Sequence, residues 1–289
     1  MIKMYYIFKG VNMFNKRRIH LIIFLLCLSA LFSVSYTIVE LSFFQNDRVK
    51  ANSKISDSAL ISPQPYKSMA LANKNINIKQ NFNKYTQNIY LTFDDGPNQH
   101  TKKILHILKR KKTTATFFML NDNILKNKEM VAAVNKAGNS LGCHGVSHRV
   151  DRFYQTKKSP LVEMNTCKKS ILKASGEETL LIRVPYGSFP NLSPIQKKYL
   201  DHAGFIMWDW NVDSEDWLNK NKSGKYLVNH VVNQVKQLKK HDITPVILLH
   251  DTEISVKALP KLIDKLQAMG YTFQPINEQI KPLQFSPKN

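Results

Sequence analysis

Two adjacent carboxylates, Asp94 and Asp95, stand in the segment Thr92-Phe93-Asp94-Asp95-Gly96-Pro97. Like charges that close are costly unless a cation or hydrogen-bond donors compensate them. Asp-Gly-Pro is also good turn chemistry, so the segment alone leaves both readings open. Further along, His144-Gly145-Val146-Ser147-His148 spaces two imidazoles four residues apart. That spacing puts both on one face of a helical turn and recurs among metal ligands. With Asp95 they offer two imidazoles and one carboxylate, leaving positions for water and a reactant. Such a donor set suits zinc, and also cobalt, nickel or iron. Three more polar segments follow: Arg183-Val184-Pro185-Tyr186-Gly187, Asp213-Ser214-Glu215-Asp216-Trp217 and Leu248-Leu249-His250-Asp251. Each has a plainer reading: Arg183 as a surface charge, Trp217 as core packing, His250 as a satisfied buried histidine.

These segments need a frame that brings them together. Short apolar runs at 89–93, 116–119, 140–143, 180–184, 205–208, 246–249 and 271–275 read as strands. Amphipathic patterns at 100–111, 129–137, 160–174, 194–203, 226–239 and 256–269 read as the helices between them. Strand–helix alternation implies parallel strands with crossover helices. A (β/α) barrel fits a region of this length, with an open doubly wound sheet as the alternative. The polar segments follow predicted strands, and in a barrel the C-terminal strand ends converge on one mouth.

The set TFDDG, HGVSH, RVPYG, DSEDW and LLHD, in this order, resembles the five motifs of the NodB-homology polysaccharide deacetylases, carbohydrate esterase family 4. The resemblance runs from Asn88 to Pro275. It implies an α/β fold, a deformed (β/α) barrel, and metal-dependent removal of acetyl groups from glycans. By that resemblance Asp95, His144 and His148 correspond to the metal ligands. Asp94 corresponds to the catalytic base and His250 to the catalytic acid. Arg183 is similar to the residue that holds the base, and Asp216 to the one that holds the acid. The Tyr186 backbone N–H resembles an oxyanion donor, while Trp217 and Leu248 resemble the walls of an acetyl-methyl groove. Cys143 departs from the pattern, standing where Asn is common; it reads either as a small buried residue or as a soft ligand and oxidation site.

The implied chemistry is coherent. An amide carbonyl is a poor electrophile, so water must be activated and the oxyanion stabilised. The leaving amine must be protonated as it departs, which suits an imidazolium held by a carboxylate. The substrate implied is the N-acetylglucosamine of peptidoglycan. Exported poly-N-acetylglucosamine, chitin-like oligomers and O-acetylated glycans are the alternatives, with a non-catalytic glycan-binding barrel as the different class.

The other end of the chain concerns location. Residues 19–39 contain no Asp, Glu, Lys or Arg, and Lys3, Lys9, Lys16, Arg17 and Arg18 precede them. About twenty apolar residues suffice to span a bilayer as a helix. The basic flank then keeps the N-terminus inside. The expected organisation is a cytoplasmic basic segment at 1–18, a transmembrane signal-anchor at 19–39, an extracytoplasmic stalk at 40–86 and the deacetylase domain at 87–289. The catalytic domain is expected outside the cell membrane. A cleaved signal peptide is the rival, offered only weakly by Ser33-Val34-Ser35. There are 42 Lys and Arg against 21 Asp and Glu, a net charge of +21. Export makes anionic cell-wall polymers or the membrane surface the expected partners of that charge, not nucleic acid. Three Cys without CxxC spacing exclude a disulfide scaffold or a zinc-ribbon site.

Overall fold

Eight short strands, all parallel in their pairings, carry the chain back and forth. The computed structural model describes residues 87–219 and 221–286. These lie within one compact unit, Lys79–Asn289. The expected anchor and stalk fall outside the described residues. Among the described residues no helix is long and apolar enough to cross a membrane.

The strands are β1 (Gln87–Asp94), β2 (Thr116–Met119), β3 (Ser140–Cys143), β4 (Leu181–Ile182), β5 (Ile206–Met207), β6 (Val212–Asp213), β7 (Val246–His250) and β8 (Tyr271–Phe273). The helices are α1 (Thr101–Lys111), α2 (Asn121–Lys126), α3 (Lys128–Lys136), α4 (Val150–Phe153), α5 (Ser159–Ser175), α6 (Pro194–His202), α7 (Gly224–Lys239) and α8 (Glu253–Ala268). From Ile89 to Asp94, β1 is continuously buried, as expected of a strand covered on both faces. Its neighbours explain why: it pairs with β2, β7 and β8. Helix α1 turns Ile104, Ile107 and Leu108 to the core and ends at Lys112, whose left-handed conformation lets its N–H reach back to Leu108 and Lys109 carbonyls. Ser193 and Gln196 form a reciprocal capping box at the start of α6.

The sheet order is β5-β4-β3-β2-β1-β7-β6, with β8 beside β1. The sheet curls as a half-barrel, so the expected barrel is met in part: the path has two edges, β5 and β6. Residues 208–211 cross between those edges. Trp208 N–H bonds to Ile182 O at 2.8 Å, and Asn211 N–H to Val246 O at 3.1 Å. Strand β6 is a two-residue piece the sequence pattern did not anticipate, as were the short helices α2 and α4.

Arg183 fastens the inside of this crossing. It is fully buried. Its Nε donates to Trp208 O (3.2 Å) and its Nη2 to Asp209 O (3.0 Å). Its Nη1 donates to Thr92 Oγ1 (2.7 Å) and Asp94 Oδ1 (2.9 Å). The guanidinium also lies 4.4 Å from the Phe118 ring centroid. A planar fork of donors therefore joins the crossing segment to the central strand. Removing one partner of a buried, hydrogen-bonded ion pair destabilises by about 3–5 kcal/mol. Arg183→Met is accordingly expected to lower the unfolding free energy by that amount, read from urea unfolding.

Candidate active site

All five polar segments sit at C-terminal strand ends or in the loops just beyond them. Asp94 closes β1, nearly buried, with one carboxylate oxygen on Arg183. Its other oxygen, Oδ2, lies 3.8 Å from His144 Nε2. The reading of Arg183 as a surface charge is excluded by its burial.

Asp95, His144 and His148 come together. Their donor atoms all lie within 4.8 Å of one another. Asp95 Oδ1 is 3.6 Å from His144 Nε2 and 3.5 Å from His148 Nε2. That oxygen is buried and has no hydrogen-bond partner. His144 Nδ1 is 2.7 Å from Arg183 O, an acceptor, so Nδ1 carries the proton and Nε2 presents its lone pair to the cluster. Burial, and next the neighbouring His144, push His148 below the ordinary histidine range, towards the neutral form that a ligand needs. An orphaned carboxylate oxygen beside two imidazole nitrogens, one of tautomer fixed from behind, fits a divalent cation.

The two histidines do not meet on a helix, contrary to the spacing argument. Residues 144–149 form a loop between β3 and α4. Gly145 adopts φ +94, where a Cβ would lie 2.9 Å from the Phe153 ring and 3.2 Å from Glu163 Oε2. His148 itself has φ +47. Glu163 on α5 holds the turn: its Oε2 accepts from Val146 N (2.8 Å) and Ser147 N (2.9 Å), and its Oε1 from Ser147 Oγ (2.6 Å). Asp95, Tyr186 and Glu215 also have positive φ, at 73°, 65° and 55°. Left-handed backbone at non-glycine residues is uncommon, and its concentration in these motifs marks loops shaped for the site.

Beside Asp94, on the neighbouring strand β7, stands a second pair. His250 Nδ1 lies 2.7 Å from Asp216 Oδ1, and His250 N–H donates to Asp216 Oδ2 at 2.8 Å. Ser255 Oγ and Thr252 Oγ1 also donate to Asp216 Oδ2. Burial opposes ionisation of Asp216, but the bonds from His250 and Ser255 outweigh it and hold the carboxyl below its usual range. Burial alone would lower the His250 imidazole; the Asp216 hydrogen bond and the charges of Asp216, Asp94 and Asp95 lift it from 6.5 to about 9. That shift biases His250 towards its protonated form.

The remaining predicted residues are placed less uniformly. Tyr186 is half-exposed, its hydroxyl donates to His148 O at 2.9 Å, and its ring centroid lies 4.8 Å from that of His148. Among the described residues no acceptor meets its backbone N–H. Leu248 is buried in β7 and registers with Asp213 of β6. Trp217 is 52% exposed just beyond Asp216, so it is no core residue. Cys143 is a buried free thiol in the hydrophobic core with Cys167, and it is not part of the metal-competent group.

Two acids went unread in the sequence. Glu163 lies mid-helix with no local signal of its role. Asp251 was visible in LLHD but had no assigned task. It is buried, its Oδ2 accepts from Thr101 Oγ1, and burial pushes it up to about 7 despite that bond.

The family described as polysaccharide deacetylase matches residues 83–205. A putative polysaccharide deacetylase, YheN, of Bacillus subtilis is 40% identical over 73% of this chain and 73% of its own. A peptidoglycan-N-acetylglucosamine deacetylase of Bacillus cereus is 33% identical over 66% of this chain and 69% of its own. Among solved structures, the catalytic domain of a peptidoglycan N-acetylglucosamine deacetylase from Eubacterium rectale superposes with a TM-score of 0.62 and 30% identity, covering 70% of this chain and 94% of that one.

Outer partners that orient metal ligands are worth about 10–100-fold in metal affinity. Glu163→Ala is expected to weaken zinc binding by that factor, measured by competition with a chromophoric chelator, with secondary structure retained in circular dichroism.

Proposed function

The chain belongs to the polysaccharide deacetylase family, hydrolases of carbon–nitrogen bonds, and on that premise we propose that it removes N-acetyl groups from the N-acetylglucosamine residues of cell-wall peptidoglycan. The observation that carries this reading is one mouth holding a metal-competent triad beside an arginine-held carboxylate and a carboxylate-held imidazole. The peptidoglycan relatives supply the substrate class.

Asp95, His144 and His148 would hold one divalent cation, with zinc the best match to two imidazoles and a carboxylate. Such a cation supplies Lewis acidity, acidifying water and polarising a carbonyl. Asp94 takes the proton from the attacking water; Arg183 fixes the carboxylate so that its second oxygen faces the triad. The N–H of Tyr186 donates to the oxygen that gains negative charge. His250 then protonates the departing amine, and Asp216 keeps the imidazole charged and turned. The half-exposed Trp217 and buried Leu248 flank the acetyl methyl and limit acyl size. The apolar run at 19–39 supports a single-pass anchor that holds this domain outside the cell membrane, near its wall substrate.

Incubation of the zinc-loaded domain with peptidoglycan, chitooligomers and acetylated xylan is expected to release acetate from peptidoglycan fastest. Release from xylan alone would overturn the N-deacetylase reading. Asp94→Asn is expected to lower turnover by at least about 100-fold while zinc still binds, since a general base typically contributes 10²–10⁴-fold. The acid works only when protonated, so kcat is expected to hold from neutral pH towards 9 and fall above the His250 value. Asp216→Asn removes what raises that value, so its alkaline limb is expected to move towards lower pH; an unmoved limb would remove His250 from the acid role.

A further inference from the structure

Apart from Arg183, the lysines and arginines have no task in the catalytic mouth, where Asp94, Asp95 and Asp216 stand among His144, His148 and His250. One cluster of cations stands at the other end of the sheet. Because the crossover helices run back against the strands, their C-terminal turns lie beside the N-terminal strand ends. Of the crossover helices α1, α3, α5, α6, α7 and α8, all but α6, which ends in His202, put Lys or Arg in that last turn. Basic last turns complement the helix dipole, but α1 goes beyond that need. Its sequence, TKKILHILKRK, has no acid at all, and Lys109, Arg110 and Lys111 fill its last turn. Only Lys111 on it is in an ion pair among the described residues, with Asp264 at 2.6 Å.

Between the ends of α1 and α3 lies a cavity of about 600 Å³. Its floor is apolar (Leu105, Leu108, Ala133 and Ala137), and Lys109, Lys112 and Lys136 stand exposed around it. Acids approach from two sides: Asp264 at Lys111, and Glu177, Glu178 and Glu278 along the neighbouring hollow beyond Asn139. The chain enters β1 at Gln87, at this same end of the sheet.

We propose that this basic end of the domain docks on an anionic lipid surface, with lysine ammonium groups on the phosphates and the apolar floor against the upper acyl region. Three observations select a bilayer over a phosphodiester polymer. The floor is apolar, which a polyanion would not use. Long lysine side chains around an apolar patch suit an interface with water on one side and hydrocarbon on the other. The chain enters the domain at this end, at Gln87, and the sequence before it holds the apolar run read as an anchor at 19–39. Docked so, the catalytic mouth faces away from the membrane.

The test uses residues 79–289, a compact unit with its own hydrophobic core. The unit is sedimented with phosphatidylcholine vesicles, with and without about one-third phosphatidylglycerol, at low and high salt. Binding is expected only to the anionic vesicles and to weaken with salt. Each basic residue at such a surface contributes about 1 kcal/mol, so Lys109→Glu/Lys112→Glu/Lys136→Glu is expected to weaken partition at least about tenfold. Lys157→Glu/Lys158→Glu/Lys169→Glu makes the same charge change at exposed sites elsewhere and is expected to stay within about twofold of the unaltered unit. Equal weakening by both triples would overturn the proposal, as would equal binding to neutral vesicles. So would no vesicle binding alongside capture by soluble poly(glycerol phosphate). Unfolding curves of both triples check that the surface changes leave the fold intact. The readout is binding, so it stands or fails independently of the deacetylase reading.

Discussion

The buried guanidinium of Arg183 is the interaction on which the site rests. A sheet that stops at β5 and β6 leaves carbonyls of the crossing segment pointing inward, and buried carbonyls need donors. Arg183 supplies them to Trp208 and Asp209 and still reaches Thr92 and Asp94 on β1. Its own carbonyl accepts from His144 Nδ1 at 2.7 Å. One residue therefore ties the edge crossing, the candidate base and a candidate ligand into a single network. Such a buried charge is tolerable because nearly every donor has an acceptor and Asp94 lies at 2.9 Å.

The second carboxylate pair solves the opposite problem. Asp94 is held by a cation that cannot lose its proton, whereas Asp216 is held by an imidazole that can. The same residue type thus suits two proposed roles through its partner: a proton acceptor beside Arg183 and a charge that raises His250. The hydroxyls of Ser255 and Thr252 converge on Asp216 from the start of α8, so strand β7 and the helix after it set the position of the acid together.

Much of this was legible in the residues. The alternation of apolar runs and amphipathic helices gave the parallel α/β arrangement because each long strand, such as β1, is buried on both faces. The motif residues were readable because carboxylates and imidazoles at strand ends need one another. The open edge was not readable: β5 and β6 are two-residue strands, too short to leave a pattern, and what fastens the crossing between them is the Arg183 side chain just beyond β4. The loop geometry of His144 and His148 was misread as helical because a four-residue spacing is the same in sequence whether a helix or a glycine-hinged turn closes it. Glu163 was invisible because an acid on an amphipathic helix looks like any solvated surface residue until the loop above it is seen.

The proposed chemistry turns on a cation held by Asp95, His144 and His148 within reach of Asp94. The most direct measurement is an anomalous difference map at the zinc edge from crystals of the zinc-loaded domain. It should show one strong peak bonded to Asp95 Oδ1, His144 Nε2 and His148 Nε2. A strong peak elsewhere, or none at this triad under saturating zinc, would contradict it.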